Sequence, residues 1–218
     1  MTGAAESVNG GGAVAPEPLV RARFCQEWLT QVEAEEDPYR ARFFAHLPRE
    51  LRERIEGASR VAWLPMAIHV HLAEIQLETF GSVRAHEYYR HAFTASVKGP
   101  ILGPLVTTGA RLLGLSPASF VRWASRGYAA AYKDAGELHG EVLGSNHARL
   151  VFSHLPAICT TSDAWMMSSQ GSTYGMYDVL GIEGVVRLDT RGRAEGKAVL
   201  DLEWSDRKLG GRANPPKT

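Results

Sequence analysis

Apolar positions recur every three to four residues up to about residue 136, and every second residue after it. The first regime predicts helices. Leu19 to Val32 is a candidate first helix. Asp37-Pro38 reads as a cap with proline at the first helical position, opening a short helix through Phe43 and Phe44. Leu47-Pro48 begins a charged helix that Gly57 ends, and Pro65 opens a long one that runs to Phe80 and stops at Gly81. Ser82 caps the next helix, through Phe93 to Val97, before Lys98-Gly99-Pro100 breaks the pattern. A short helix is expected over Leu105 to Leu113. Ser116-Pro117 starts the clearest one, where Phe120, Trp123, Ala124, Gly127, Tyr128 and Ala131 fall on one stripe and Gly136 marks the end.

The second regime predicts strands. Leu138–Leu143 and Ala148–His154 flank the turn Gly144-Ser145-Asn146, with Ala148, Leu150, Phe152 and His154 on one face. Ser162-Asp163 caps a helix running to about Leu180. Val185–Asp189 and Ala198–Trp204 form a second hairpin, in which Ala198, Leu200, Leu202 and Trp204 alternate with wetter residues. The expectation is an α+β fold: a helical half, 19–136, packed on a ββαββ four-stranded antiparallel sheet, 137–205. Residues 1–18 and 206–218, rich in Gly, Ala and Pro, read as a flexible arm and tail around a single domain, 19–205.

Composition removes several function classes. With 218 residues, 44% hydrophobic and 22% charged, the chain can build a core. Lys plus Arg is 24 and Asp plus Glu is 24, so no charge excess points to nucleic acid. No secretory signal or membrane-length apolar run is legible, so no membrane insertion and a cytoplasmic location are expected. Cys25 and Cys159 are too few for a disulfide scaffold or thiolate zinc site and read as buried free thiols.

Candidate chemistry is sparse. His86 and His91 resemble a zincin pair with one residue too many; at i and i+5 they sit about 140° apart on a helix and cannot share one zinc. His71, Glu74 and Glu78 share a face, but that face is opposite the apolar one of Met66, Val70, Ala73, Leu77 and Phe80, and paired ExxH motifs are lacking. Gly192–Lys197 is one residue short of a P-loop and joins two strands. In GSTYG, 171–175, the Ser stands one place too early for a nucleophile elbow. No catalytic residue and no metal site are assigned, and the chain reads as a non-enzyme.

Two polar groups break an apolar face: His69 and Gln76, one heptad apart. Each is a core group satisfied by a neighbour or a group projecting into a ligand cavity. On the helix after Ser162, Ala164, Ser168, Gly171 and Gly175 form a small-residue ridge suited to close approach. Met166, Met167, Gln170, Thr173, Tyr174 and Tyr177 occupy the rest, as pocket lining, core or subunit interface.

Trp63-Leu64-Pro65, the helix start Gly81-Ser82-Val83-Arg84, the stretch LLGLSPASFVRWASRGY and the closing ββαββ resemble a family of uncharacterised myxobacterial-type proteins over roughly residues 37–205. That family is similar in turn to the vinyl-reductase-like and haem-NO-binding superfamily. The resemblance implies a helical half and a ββαββ half enclosing a small-molecule cavity, with homodimers common. It supplies no catalytic residues and maps no haem ligand here; the cofactor is unknown, with haem an option through His69. The expected function is a small-molecule-binding sensor or scaffold with an apolar cavity lined by His69, Gln76, Phe80, Trp123, Tyr128, Met166, Tyr174 and Tyr177. The alternative is a protein–protein interaction module that dimerises without ligand.

Overall fold

A computed structural model describes residues 16–97, 103–104, 108 and 116–208, with the side chains of 206–208 left aside. The expected helix over Leu105 to Leu113, most of the N-terminal arm and the end of the tail lie outside the described residues. The fold is α+β. Helices α1 (Ala22–Glu33), α2 (Tyr39–His46), α3 (Arg49–Glu56), α4 (Met66–Val97) and α5 (Pro117–Ala131) precede the four-stranded sheet. That sheet is built from β4 (Glu137–Gly144), β5 (His147–Ser153), β6 (Ile182–Asp189) and β7 (Ala198–Lys208), in the order β4-β5-β7-β6 and antiparallel throughout. The short α6 (Ala157–Thr160) and the long α7 (Asp163–Leu180) connect its two hairpins.

The local chemistry accounts for most boundaries. Ser116 and Ser119 form a reciprocal capping box with Pro117 at the first helical position of α5. The Ser162 hydroxyl accepts from the Trp165 amide to open α7, and Gly181 closes it in the left-handed region. Gly81 has φ 72° and ψ 167°, a conformation for which glycine is suited, and it breaks α4 into two differently directed halves. Along β7, Ala198, Leu200, Leu202 and Trp204 are all buried, as their alternation predicts. The strand continues to Lys208, past the expected boundary at 205.

Three expectations need correction. The chain at Leu19–Arg21 is a strand (β1), not the first turn of a helix. It pairs antiparallel with both β2 (Trp63–Pro65) and β3 (Tyr132–Lys133), so a tertiary ladder overrides local helical pattern. The helix from Pro117 ends at Ala131 rather than Gly136, because Tyr132 and Lys133 are drawn into that ladder. His154 leaves the apolar face of its strand at a positive φ of 54° and is exposed.

The small-residue ridge of α7 works by close approach. A Cβ on Gly171 would lie 2.8 Å from the Tyr89 Cβ, and one on Gly175 would lie 2.5 Å from the Arg90 carbonyl oxygen. The second half of α4 therefore runs nearly backbone-to-backbone against α7, and Arg90 adds a two-pronged ion pair to Asp178. Gly175→Ala should lower the unfolding free energy by about 2 kcal/mol, overpacking outweighing the better helix propensity of alanine. Denaturant titration checks this; a stabilised variant would show that the two helices do not touch there.

Candidate functional site

Four helices and the sheet leave a cavity of ≈ 280 Å³ between them. Each helix contributes one stripe at helical spacing. From α1 come Phe24, Glu27, Trp28 and Gln31; from the second half of α4, Tyr89, Ala92, Phe93, Ser96 and Val97. The first half of α4 contributes His69. The stripe on α5, Phe120 through Ala131, faces the cavity along its length, which explains why most of its large side chains are only half-buried. Tyr132 of β3 and the inner-face residues Leu138, Leu150 and Phe152 close the remaining sides.

α7 has three buried sides. Trp165, Ser168, Ser169, Ser172, Thr173 and Met176 look into the cavity. Gly171 and Gly175 meet α4. Gln170 and Tyr177 reach the sheet, the amide donating to the Val186 carbonyl at 2.8 Å and the phenol to the Glu203 carbonyl at 3.1 Å. The hydroxyls of Ser168, Ser169 and Thr173 donate back to carbonyls of their own helix, so the cavity wall they form is less polar than its composition suggests.

The centre of the site is His69. Its ring lies edge-on to Trp28 (centroids 5.2 Å apart) and to Tyr132 (5.7 Å). Its Nδ1 is buried with no hydrogen-bond partner among the described residues. Burial in these apolar surroundings lowers its pKa to about 4, so the imidazole is neutral at pH 7. Trp28 is the hub behind it: its indole N–H donates to Gln76 Oε1 at 3.1 Å, and its carbonyl accepts the Tyr88 hydroxyl at 2.7 Å. The only charged lining side chain among the described residues, Glu27, is neutralised by Arg23 at 2.5 Å and Arg60 at 3.8 Å, and accepts from the Ser96 hydroxyl at 3.2 Å. Burial raises both thiols, Cys25 and Cys159, to about 12, so neither is a nucleophile at neutral pH.

Of the expected lining, His69, Trp123 and Tyr128 stand on the cavity. The others are brought elsewhere. Gln76 is fully buried behind His69 as the acceptor for Trp28. Phe80 packs on Tyr39 and Tyr88 just before the kink. Met166 is a buried core side chain. Tyr174 stacks on His86, 5.0 Å between centroids, on the far side of α7. Tyr177 fills the space that the missing Cβ of Gly184 leaves. Sequence reasoning missed Trp28, Tyr89, Phe93 and Tyr132; the i, i+3, i+4, i+7 spacing of 24–31 and the i, i+3, i+4, i+7, i+8 spacing of 89–97 were the signals that could have found the α1 and α4 walls.

Among the described residues no group of three or more His, Cys, Asp or Glu could hold a metal ion, and no helix is long and apolar enough to cross a membrane. No protein-family model matches the chain, and no curated protein matches it. Solved structures do. An H-NOX protein from S. oneidensis in the Fe(II) ligation state, a triple-alanine mutant, is similar over 86% of this chain and 97% of its own, with TM-score 0.59 and 11% identity. The Fe(II) unliganded H-NOX protein from K. algicida covers the same shares with TM-score 0.58 and 10% identity. A point mutant of the T. tengcongensis H-NOX is similar over 87% of this chain and 100% of its own, with TM-score 0.56 and 9% identity. At such identities the likeness is one of fold.

The buried imidazole makes stability acid-sensitive. Its folded pKa lies below its unfolded value of 6.5, so the unfolded chain gains a proton first as pH falls. Between about pH 6.5 and 4 the His69 contribution should be lost progressively, on the order of 3 kcal/mol in total. Urea titrations across that range should show a shallower acid slope for His69→Leu than for the wild type. Identical slopes would mean that the ring is solvated.

Proposed function

We propose that this chain is a non-catalytic cytoplasmic small-molecule sensor or scaffold whose ligand occupies the cavity between helices and sheet. The observation that carries the reading is the ≈ 280 Å³ apolar space between helices and sheet, with the buried, neutral imidazole of His69 among its lining side chains. A folded chain accepts the cost of such a group where a ligand recovers it. His69, Trp123 and Tyr128 are the ligand contacts we retain from the sequence. The H-NOX-like fold is consistent with a sensor, and membership in a myxobacterial-type family is part of the same proposal. A ligand would act by favouring one packing of α1, α4, α5 and α7 over the sheet.

Haem is the group the fold raises. A neutral buried imidazole suits an iron ligand chemically. The rest of the site does not suit a porphyrin. The cavity is lined chiefly by aromatic and small side chains. Among the described residues no Lys or Arg lines it to receive propionates, and its one carboxylate, Glu27, would oppose them. The lining formed by the described residues does not fit haem.

The dimerisation reading has weaker support. The Met and Tyr side of α7 is turned inward, with Met166, Met176 and Tyr177 buried. The large exposed hydrophobics among the described residues, Val61, Val83, Leu143 and Val185, are dispersed; the last two lie on opposite edge strands of the sheet.

Native mass spectrometry of the purified protein, with thermal denaturation across lipid, phenolic and haem panels, tests the proposal. A bound small molecule, or a melting temperature raised by the equivalent of about 2.7 kcal/mol at a hundredfold excess over Kd, is expected. Ala124→Phe, which fills the cavity from α5, should abolish the shift without unfolding the protein. A ligand-free monomer or dimer with no shift in any panel would contradict it.

A further inference from the structure

Resting on the reading of the cavity as a ligand site, we propose that its ligand is a small, neutral, planar aromatic molecule with one hydrogen-bonding group directed at His69.

Shape is the first argument. Trp28, Phe120, Trp123, Tyr128 and Phe152 present ring surfaces to the cavity. Two of them have their polar ends engaged by the protein: the Trp28 N–H goes to Gln76 and the Tyr128 hydroxyl to the Ala135 carbonyl at 2.8 Å. Tyr89, also on the wall, donates to the Ala73 carbonyl at 3.2 Å. Walls of this kind reward a flat partner through stacked and edge-to-face contacts, beyond what apolar area alone returns. A cavity of ≈ 280 Å³ is large enough for a fused bicyclic ring or a substituted single ring.

Charge is the second argument. The Glu27 carboxylate is already matched by Arg23 and Arg60, so it offers no free counter-charge to an ammonium group. Among the described residues no cation lines the space to hold a carboxylate. An ion would enter an aromatic interior uncompensated, at a cost a neutral molecule avoids. Two polar side chains on the wall have a nitrogen without a protein partner: the Trp165 indole N–H, and the imidazole of His69, whose Nδ1 is closed off from the space but whose neutral ring offers one donor and one acceptor nitrogen. A ligand hydroxyl that reaches the cavity side of this ring gains a hydrogen bond in a site with few competing polar groups.

Titration of the full chain with a naphthol, a methoxynaphthalene and decanol, read by quenching of tryptophan fluorescence, separates these elements. The naphthol has the ring and the donor, the ether has the ring without it, and the alcohol has the donor without the ring. The naphthol is expected to bind about tenfold tighter than either of the others. His69→Leu should cost the naphthol about tenfold and leave the ether unchanged. The ¹⁵N resonances of the His69 ring in the wild type, which need no variant to fold, should shift on saturation with naphthol. Decanol binding as tightly as the naphthol would overturn the aromatic assignment while leaving the cavity reading intact. Equal affinity for naphthol and ether, with unmoved ring resonances, would overturn the role of His69. Failure of all three probes together with a blank native mass spectrum and flat thermal panels would bring down the cavity reading itself.

Discussion

The ring of His69, held edge-on between Trp28 and Tyr132, is where three separate pieces of chain meet. Trp28 comes from α1, His69 from the first half of α4, and Tyr132 from the strand that follows α5. An imidazole buried in that company must stay neutral, and it finds no hydrogen-bond partner there for Nδ1 among the described residues. Nearby, the Trp28 indole goes to Gln76 Oε1 and the Tyr88 hydroxyl to the Trp28 carbonyl, while the Gln76 amide nitrogen is also without a partner among the described residues. The imidazole stands among the residues that line the cavity, while its Nδ1 is closed off from that space. Three of the lining rings, Trp28, Tyr89 and Tyr128, are held by hydrogen bonds of their own and are not free to relax into the space.

The likeness to H-NOX structures at 9–11% identity is one of layer arrangement, with almost every side chain different. What a fold retains at that distance is the crossing of helices over a sheet and the space beneath them; what occupies the space is decided by local residues. In this chain those residues make a narrow aromatic interior without cationic lining among the described residues. The small sheet has a matching structural role. β1 lies between β2 and β3, so the start of the body is tied to the entrance of α4 and to the exit of α5. Two of the four helices that carry cavity walls, α4 and α5, are thereby fixed at one end, and Tyr132 is delivered to the His69 ring.

Much of this was legible in the sequence, and for identifiable reasons. The period-two pattern of Ala198 to Trp204 can be satisfied only by a sheet covered on one face. The α7 glycines announced a close helix crossing, and Gly81 a break in α4. His69 stood out because a polar residue on an apolar stripe demands an explanation. The strands β1, β2 and β3 were not legible, since two or three residues carry no periodicity and exist only through pairing with one another. The cavity face of α7 was illegible for a different reason. Serine and threonine line it, while the Met and Tyr residues that suggested a pocket pack on the sheet or on α4. Apolar character marks what is packed; it does not mark what faces an internal space. The α1 and α4 walls were missed because an aromatic stripe that lines a cavity and one that fills a core have the same spacing.

Diffraction from crystals held under xenon pressure tests the central claim most directly, because xenon enters apolar space that is present and does not create it. The account predicts xenon density in van der Waals contact with Phe120, Trp123 and Phe152 on the side of the cavity that His69 faces. A protein in which those rings have collapsed onto one another, or in which the space holds a chain of ordered water and no xenon, would contradict it.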